Sequence, residues 1–216
     1  MRFRSMYQVA VVVLLAILFG PLSGSARAGI VESTFDAGDE GWTITGDAQG
    51  ASVIPDWHAS GGNPGGYISA DDDVRGGTWY YKAPAKFRGN HSSAYGDTLS
   101  YDLRQDPPTG QFNNVEIHLR GGGLSLTYET SHPAVTWTPY SVDLTESGGW
   151  LIGGVAPNQA QMQQVLANIT DLQIRGEFRS GADTGSMDNV VMTPEPATLI
   201  MLVLGGVGAI TRRRRR

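Results

Sequence analysis

Val115-Glu116-Ile117-His118-Leu119-Arg120-Gly121-Gly122-Gly123-Leu124-Ser125-Leu126-Thr127-Tyr128 carries the fold in miniature. Apolar side chains stand at 115, 117 and 119, three glycines follow, and apolar side chains resume at 124, 126 and 128. A period of two puts one face of a strand in a core and the other outside, and consecutive glycines supply the positive φ of a tight reversal. The same alternation marks Trp42 and Ile44, then Leu99, Tyr101 and Leu103, then Tyr140, Val142 and Leu144, then Leu172 and Ile174. Residues 53–57 read as a further strand before the glycine-rich turn 61–66, and Asp106-Pro107-Pro108-Thr109-Gly110 and Ser147-Gly148-Gly149 are turns. Many short strands with one apolar face each need a second sheet to cover them. The expected fold is mainly β, a jelly-roll β-sandwich.

One segment departs from this period. Met162, Val165, Leu166 and Ile169 lie at i, i+3, i+4 and i+7, one face of a helix, and Asn158 with Gln161 three residues on forms a capping box. The sandwich should therefore carry one short amphipathic helix.

The 216 residues include 29 Gly, 11 Pro and no Cys, at a formal charge of −5. Without cysteine there are no disulfides, thiol nucleophiles or cysteine-bound metals. The basic residues collect at the ends, so residues 29–193 hold eight basic against twenty acidic side chains, a charge of −12. A surface of that sign is repelled by phosphate backbones, which excludes nucleic acid as a partner.

Both ends are addresses. Arg2 and Arg4, the apolar run 9–19 and the small-x-small triplet Ala26-Arg27-Ala28 make a secretory signal helix, with cleavage by signal peptidase after Ala28. At the other end Pro194-Glu195-Pro196 precedes an apolar helix over 197–210 and five arginines. Fourteen residues rise only about 21 Å, short of a hydrocarbon core of about 30 Å. The arginines stay cytoplasmic and leave the acidic domain outside. This order of parts resembles the PEP-CTERM sorting signal of exported bacterial proteins. The resemblance implies an exosortase-type protease as partner, a transient stay in the inner membrane, and delivery to the cell surface or extracellular matrix. The chain thus divides into a signal peptide (1–28), one domain (29–192) and a sorting or anchor segment (193–216).

Within the domain, Gly77-Thr78-Trp79-Tyr80-Tyr81-Lys82-Ala83-Pro84-Ala85-Lys86-Phe87-Arg88-Gly89-Asn90 and Ser93-Ala94-Tyr95-Gly96-Asp97-Thr98-Leu99-Ser100-Tyr101 resemble two successive stretches of laminin IV type A (laminin B) domains, a resemblance that covers roughly Ser33 to Met192. Trp137-Thr138-Pro139-Tyr140, Gly149-Trp150, Ile174-Arg175-Gly176 and Asp188-Asn189-Val190 follow in the family's order. The family is a jelly roll related to carbohydrate-binding modules, and the resemblance brings no catalytic role.

Direct searches for chemistry agree. His58, His91, His118 and His132 show no His-Glu-x-x-His spacing, and there is no Gly-x-Ser-x-Gly elbow or phosphate-cradling loop. His118, between Ile117 and Leu119, points outward. A carboxylate pair is all that a glycoside hydrolase requires, but no spacing singles one out, so hydrolase and esterase readings rank last. Calcium suits the oxygen-rich stretches Asp36 to Gly41, Asp71-Asp72-Asp73, Gly181-Ala182-Asp183 and Asp188-Asn189. The first and last strands of a jelly roll commonly lie side by side, so Asp36 and Asp188 are the expected ligands of a structural Ca²⁺. An EF-hand over 36–47 is rejected, because its third position is Gly38 and its twelfth is not Glu. Trp57, Trp79 and Tyr81 are the candidates for stacking on sugar rings, whereas Trp42 and Trp150 read as core. The function expected is a non-catalytic surface or matrix protein that binds polysaccharide; a tail-anchored structural protein or adhesin is the alternative.

Overall fold

The computed structural model describes residues 30–46, 48, 53–72 and 77–193. Two antiparallel sheets face one another. The first contains β1 (Val31–Ser33), β3 (Asp56–His58), β4 (Tyr67–Asp72), β6 (Thr98–Asp106), β9 (Thr138–Asp143) and β11 (Asp183–Met192). Its order is β3-β4-β11-β6-β9, with β1 also pairing with β11. The second runs β2 (Thr43–Thr45), β5 (Tyr80–Lys82), β10 (Ile169–Arg175), β7 (Ile117–Gly121) and β8 (Leu124–Tyr128). This is the expected mainly-β sandwich. The two terminal helices, the cleavage residues Ala26 and Ala28 and the Pro194-Glu195-Pro196 motif lie outside the described residues. Among the described residues no helix is long and apolar enough to cross a membrane.

The core is built by the alternation. Leu99, Tyr101 and Leu103 of β6 and Ile117 and Leu119 of β7 are all buried, with Trp42, Trp79 and Trp150 among the largest wholly enclosed side chains. The β7–β8 reversal uses Gly122 and Gly123 at φ +55° and +79°, both central residues left-handed as a type I′ hairpin requires. Helix α1 (Gln159–Leu166) packs against these two strands. A Cβ on Gly121 would stand 2.4 Å from the carbonyl oxygen of Val165, so the glycine is also what lets α1 come so close. The capping box is formed: the Gln161 amide donates to Asn158 Oδ1, and the Asn158 amide donates to Gln161 Oε1, both at 2.9 Å. Met162, Val165 and Leu166 are buried, each contributing about 1.5–3 kcal/mol of transfer free energy.

Two boundaries differ from expectation. Val53 and Ile54 are exposed bends, and the strand starts at Asp56, after Pro55. Regular pairing of β7 begins at Ile117, because the Glu116 amide already donates to the Tyr128 carbonyl opposite Ile117. Two residues thus face one, which is the arrangement of a bulge.

Candidate functional site

The two ends of the domain meet on the larger sheet. β1 lies beside the end of β11, with Ser33 opposite Val190, and Asp36 follows three residues later. The β3–β4 connection then folds over the sheet, carrying Asn63. The Asn63 amide donates to Asp188 Oδ2 at 2.6 Å, and its side chain donates to Asp102 Oδ2 at 3.1 Å. Asn189 donates from its side chain to Asp102 Oδ2 and to the Asn63 carbonyl. Glycine is required in this loop. A Cβ on Gly65 would stand 2.2 Å from Asp36 Oδ1, and one on Gly62 would stand 2.6 Å from Asp188 Oδ2.

Three carboxylates thereby gather about one loop. Burial pushes Asp188 up to about 6, and repulsion from Asp102 and Asp36 adds to it against the pull of two backbone amides. Among the described residues no ion pair brings Lys or Arg to these acids. Hard oxygen donors, crowded and uncompensated, fit a Ca²⁺ ion chemically. No three His, Asp or Glu side chains among the described residues converge on a metal position, so backbone carbonyls would have to complete any shell.

The three aromatic candidates part company. Trp57 is 41% exposed on the edge strand β3, and its Nε1 donates to the Phe35 carbonyl at 2.6 Å. Trp79 and Tyr81 are 0% exposed and form an edge-to-face pair with centroids 5.0 Å apart. They share a face, as the alternation requires, but that face is the core. Gly176 makes room for Trp79, since a Cβ there would lie 1.9 Å from the indole. Tyr81 Oη donates to the Gly185 carbonyl at 2.7 Å. Neither ring offers a surface to a sugar, which corrects the expectation for both.

A different cluster occupies the outer face of the larger sheet. His58 and Tyr67 are cross-strand partners and stack at 4.3 Å, and Trp137 meets Tyr67 edge-on at 5.5 Å. Arg104 of β6 lies over both rings, 4.5 Å from the Tyr67 centroid and 4.7 Å from that of Trp137. Trp137 Nε1 is anchored by donating to the Gly61 carbonyl at 3.0 Å. Beside Arg104 opens a groove of about 210 Å³ lined by Arg104, Asp106, Val135, Thr184 and Ser186. The only sequence signal was a scatter of aromatics at turns; the register that assembles them is not visible in one chain.

The outer face of the smaller sheet is organised differently. Arg120 donates to Asp171 at 2.5 Å, and Lys82 stands 3.7 Å from the same carboxylate. His118 points outward, as expected, and packs its ring on Tyr80 at 5.0 Å. Burial and the neighbouring Arg120 lower its pKa.

A profile of the laminin B (domain IV) family matches residues 80–195. The chain belongs to the laminin B family. The PEP-CTERM protein-sorting motif matches residues 193–216, which marks an exported protein and implies exosortase-type handling. Laminin subunit gamma-1 of Xenopus tropicalis is 27% identical over 173 residues, 76% of this chain and 10% of that protein. Laminin subunit gamma-2 of Equus caballus is 31% identical over 122 residues, 52% and 10% of the two chains. The laminin B chain thus spans about a tenth of the length of these curated relatives. In structure it is similar to the L4b domain of human laminin alpha-2, with TM-score 0.61 and 15% identity over 77% of this chain and 99% of that one. It is also similar to part of an exo-beta-agarase, with TM-score 0.52 and 13% identity over 78% and 25%. These likenesses establish the laminin B sandwich fold alone.

Proposed function

We propose that the chain is a non-catalytic module, displayed at the cell surface or in the extracellular matrix, that holds polysaccharide on the outer face of its six-stranded sheet. The observation that carries this reading is Arg104 laid across Tyr67 and Trp137 beside an open groove. A guanidinium held flat by stacking, beside an open groove lined with hydroxyls and a carboxylate, presents the directional polar groups by which the hydroxylated rims of sugar rings are recognised. Membership of the laminin B family supports a binding role over a catalytic one. A polysaccharide array probed with the full chain tests it: binding to at least one polymer is expected, and a blank array overturns it.

The Asp36, Asp102 and Asp188 cluster is proposed to take a structural Ca²⁺, with Asp36 and Asp188 as ligands. Its role is to neutralise crowded carboxylates and tie the β3–β4 loop to the end of β11. It supplies no chemistry to a ligand on the sheet face.

Sorting is proposed to release the domain. A mature mass beginning at Gly29 and ending within 193–196 is expected from the cell surface. A mass retaining residues 197–216 in the membrane fraction would make the chain a tail-anchored receptor or adhesin instead.

A further inference from the structure

The groove beside Arg104 has a chemistry of its own. Arg104 and Asp106 project from the same side of β6, two residues apart. In the neighbouring strand Ser186 stands opposite Arg104, and Thr184 opposite Asp106. Two hydroxyls, one guanidinium and one carboxylate thus form a square, with Val135, 51% exposed, as an apolar wall.

The guanidinium is available for a ligand. Among the described residues Arg104 has no acid within ion-pair distance and donates no hydrogen bond; it is held by the two rings beneath it. A guanidinium has five N–H donors, so stacking fixes its plane and leaves those donors for a ligand. Asp106 is exposed and supplies the acceptor. The Thr184 hydroxyl donates to Asp71 Oδ1 at 2.7 Å, which turns its remaining lone pairs towards the role of acceptor.

We propose that this groove binds a single neutral hexose unit of a polysaccharide and rejects uronate units. The inference rests on the polysaccharide-binding reading above and names the class of sugar. Vicinal hydroxyls each donate and accept, so a fixed donor beside a fixed acceptor pairs with both at once. A uronate carboxylate would satisfy Arg104 but meet Asp106, with Asp71 close behind on the same face. Like charges at such distances cost free energy in a partly desolvated groove. The size agrees: about 210 Å³ lies below the roughly 300–1,000 Å³ of pockets for drug-sized ligands, leaving room for one ring rather than several.

Affinity electrophoresis tests it, using the full chain in a polyoxyethylene detergent, which has no sugar headgroup. The gels contain dextran, soluble β-glucan, agarose, alginate or polygalacturonate. Wild type should be retarded by at least one neutral polymer and by neither polyuronate. Arg104→Ala and the milder, surface-exposed Asp106→Asn should each weaken that retardation at least tenfold with unchanged melting temperature, while Lys82→Ala on the other sheet leaves it intact. Undiminished retardation of either groove variant overturns the inference and leaves polysaccharide binding standing. Retardation by the polyuronates alone also overturns it. No retardation in any gel overturns both readings.

Discussion

Two aromatic pairs, each one Trp and one Tyr, do opposite work in this molecule. Trp79 and Tyr81 meet edge to face in the core, where Gly176 and Gly185 yield space to the indole. Tyr67 and Trp137 meet edge to face outside it, and Arg104 covers them in place of glycine and aliphatic neighbours. The geometry of the ring pairs is nearly the same. What differs is the third partner. A glycine backbone seals a ring into a dry interior, whereas a guanidinium keeps it half in water and presents donors. The same contrast separates the two outer faces of the sandwich. On the smaller sheet Asp171 holds Arg120 and Lys82, so its charges answer one another. On the larger sheet, among the described residues, Arg104 is answered by π-faces alone.

Glu116 offers the largest test of the interior side. It is buried with Oε1 unpaired, and burial raises it from 4.5 to about 8 against the pull of Arg175. An acid whose folded value exceeds its unfolded one contributes its full stability below the unfolded value and loses it as pH climbs through the folded value. Stability should therefore fall between pH 4.5 and 8, by about 5 kcal/mol at roughly 1.36 kcal/mol per pH unit. Glu116→Gln should flatten that decline in urea melts across this range. A wild-type profile equally stable at pH 5 and pH 9 would contradict it.

Next in size is Trp79→Ala, expected to cost about 3–5 kcal/mol as a core cavity, with a shift of the denaturation midpoint as the readout. A loss below about 1 kcal/mol would mean that the ring is not sealed by Gly176.

Calcium should raise the melting temperature at pH 7.5, by the equivalent of about 2.7 kcal/mol at a hundredfold excess over Kd. The gain should shrink at pH 5, because Asp188, near 6, is then protonated and cannot ligate. Asp188→Asn should remove it. Calorimetry without heat and melting without a shift would sink the calcium proposal.

The smallest expected stability change is on the exterior side. Trp137→Ala gives up a partly exposed cation–π contact, the edge contact with Tyr67 and the hydrogen bond to the Gly61 carbonyl, about 2 kcal/mol in all, yet should abolish retardation by the neutral polymer. A cost like that of Trp79→Ala would erase the distinction between the clusters.

Much of this was legible in the chain. Alternation located the cores of β6 to β10, the capping box placed α1, and a period of two puts Trp79 and Tyr81 on one face. Which face that was could not be read, because a period of two is symmetric between inside and outside until a second sheet arrives. Glu116 shows the other limit. Strict alternation would expose it beside His118, but the doubled residue opposite Tyr128 breaks the period and the side chain is buried. Arg104, Tyr67 and Trp137 come from three separate segments, and only register brings them into contact.

The sequence by itself determined the architecture and the destination. Local periodicity, caps and turn glycines are short-range physics, and the PEP-CTERM motif at 193–216 is a linear signal. Only the tertiary structure decided which aromatics face water, which carboxylates crowd one loop, and which arginine lies across exposed rings beside a groove. Those depend on pairings between residues more than a hundred apart, such as Asn63 with Asn189, 126 apart, and no local pattern encodes which distant strands will meet.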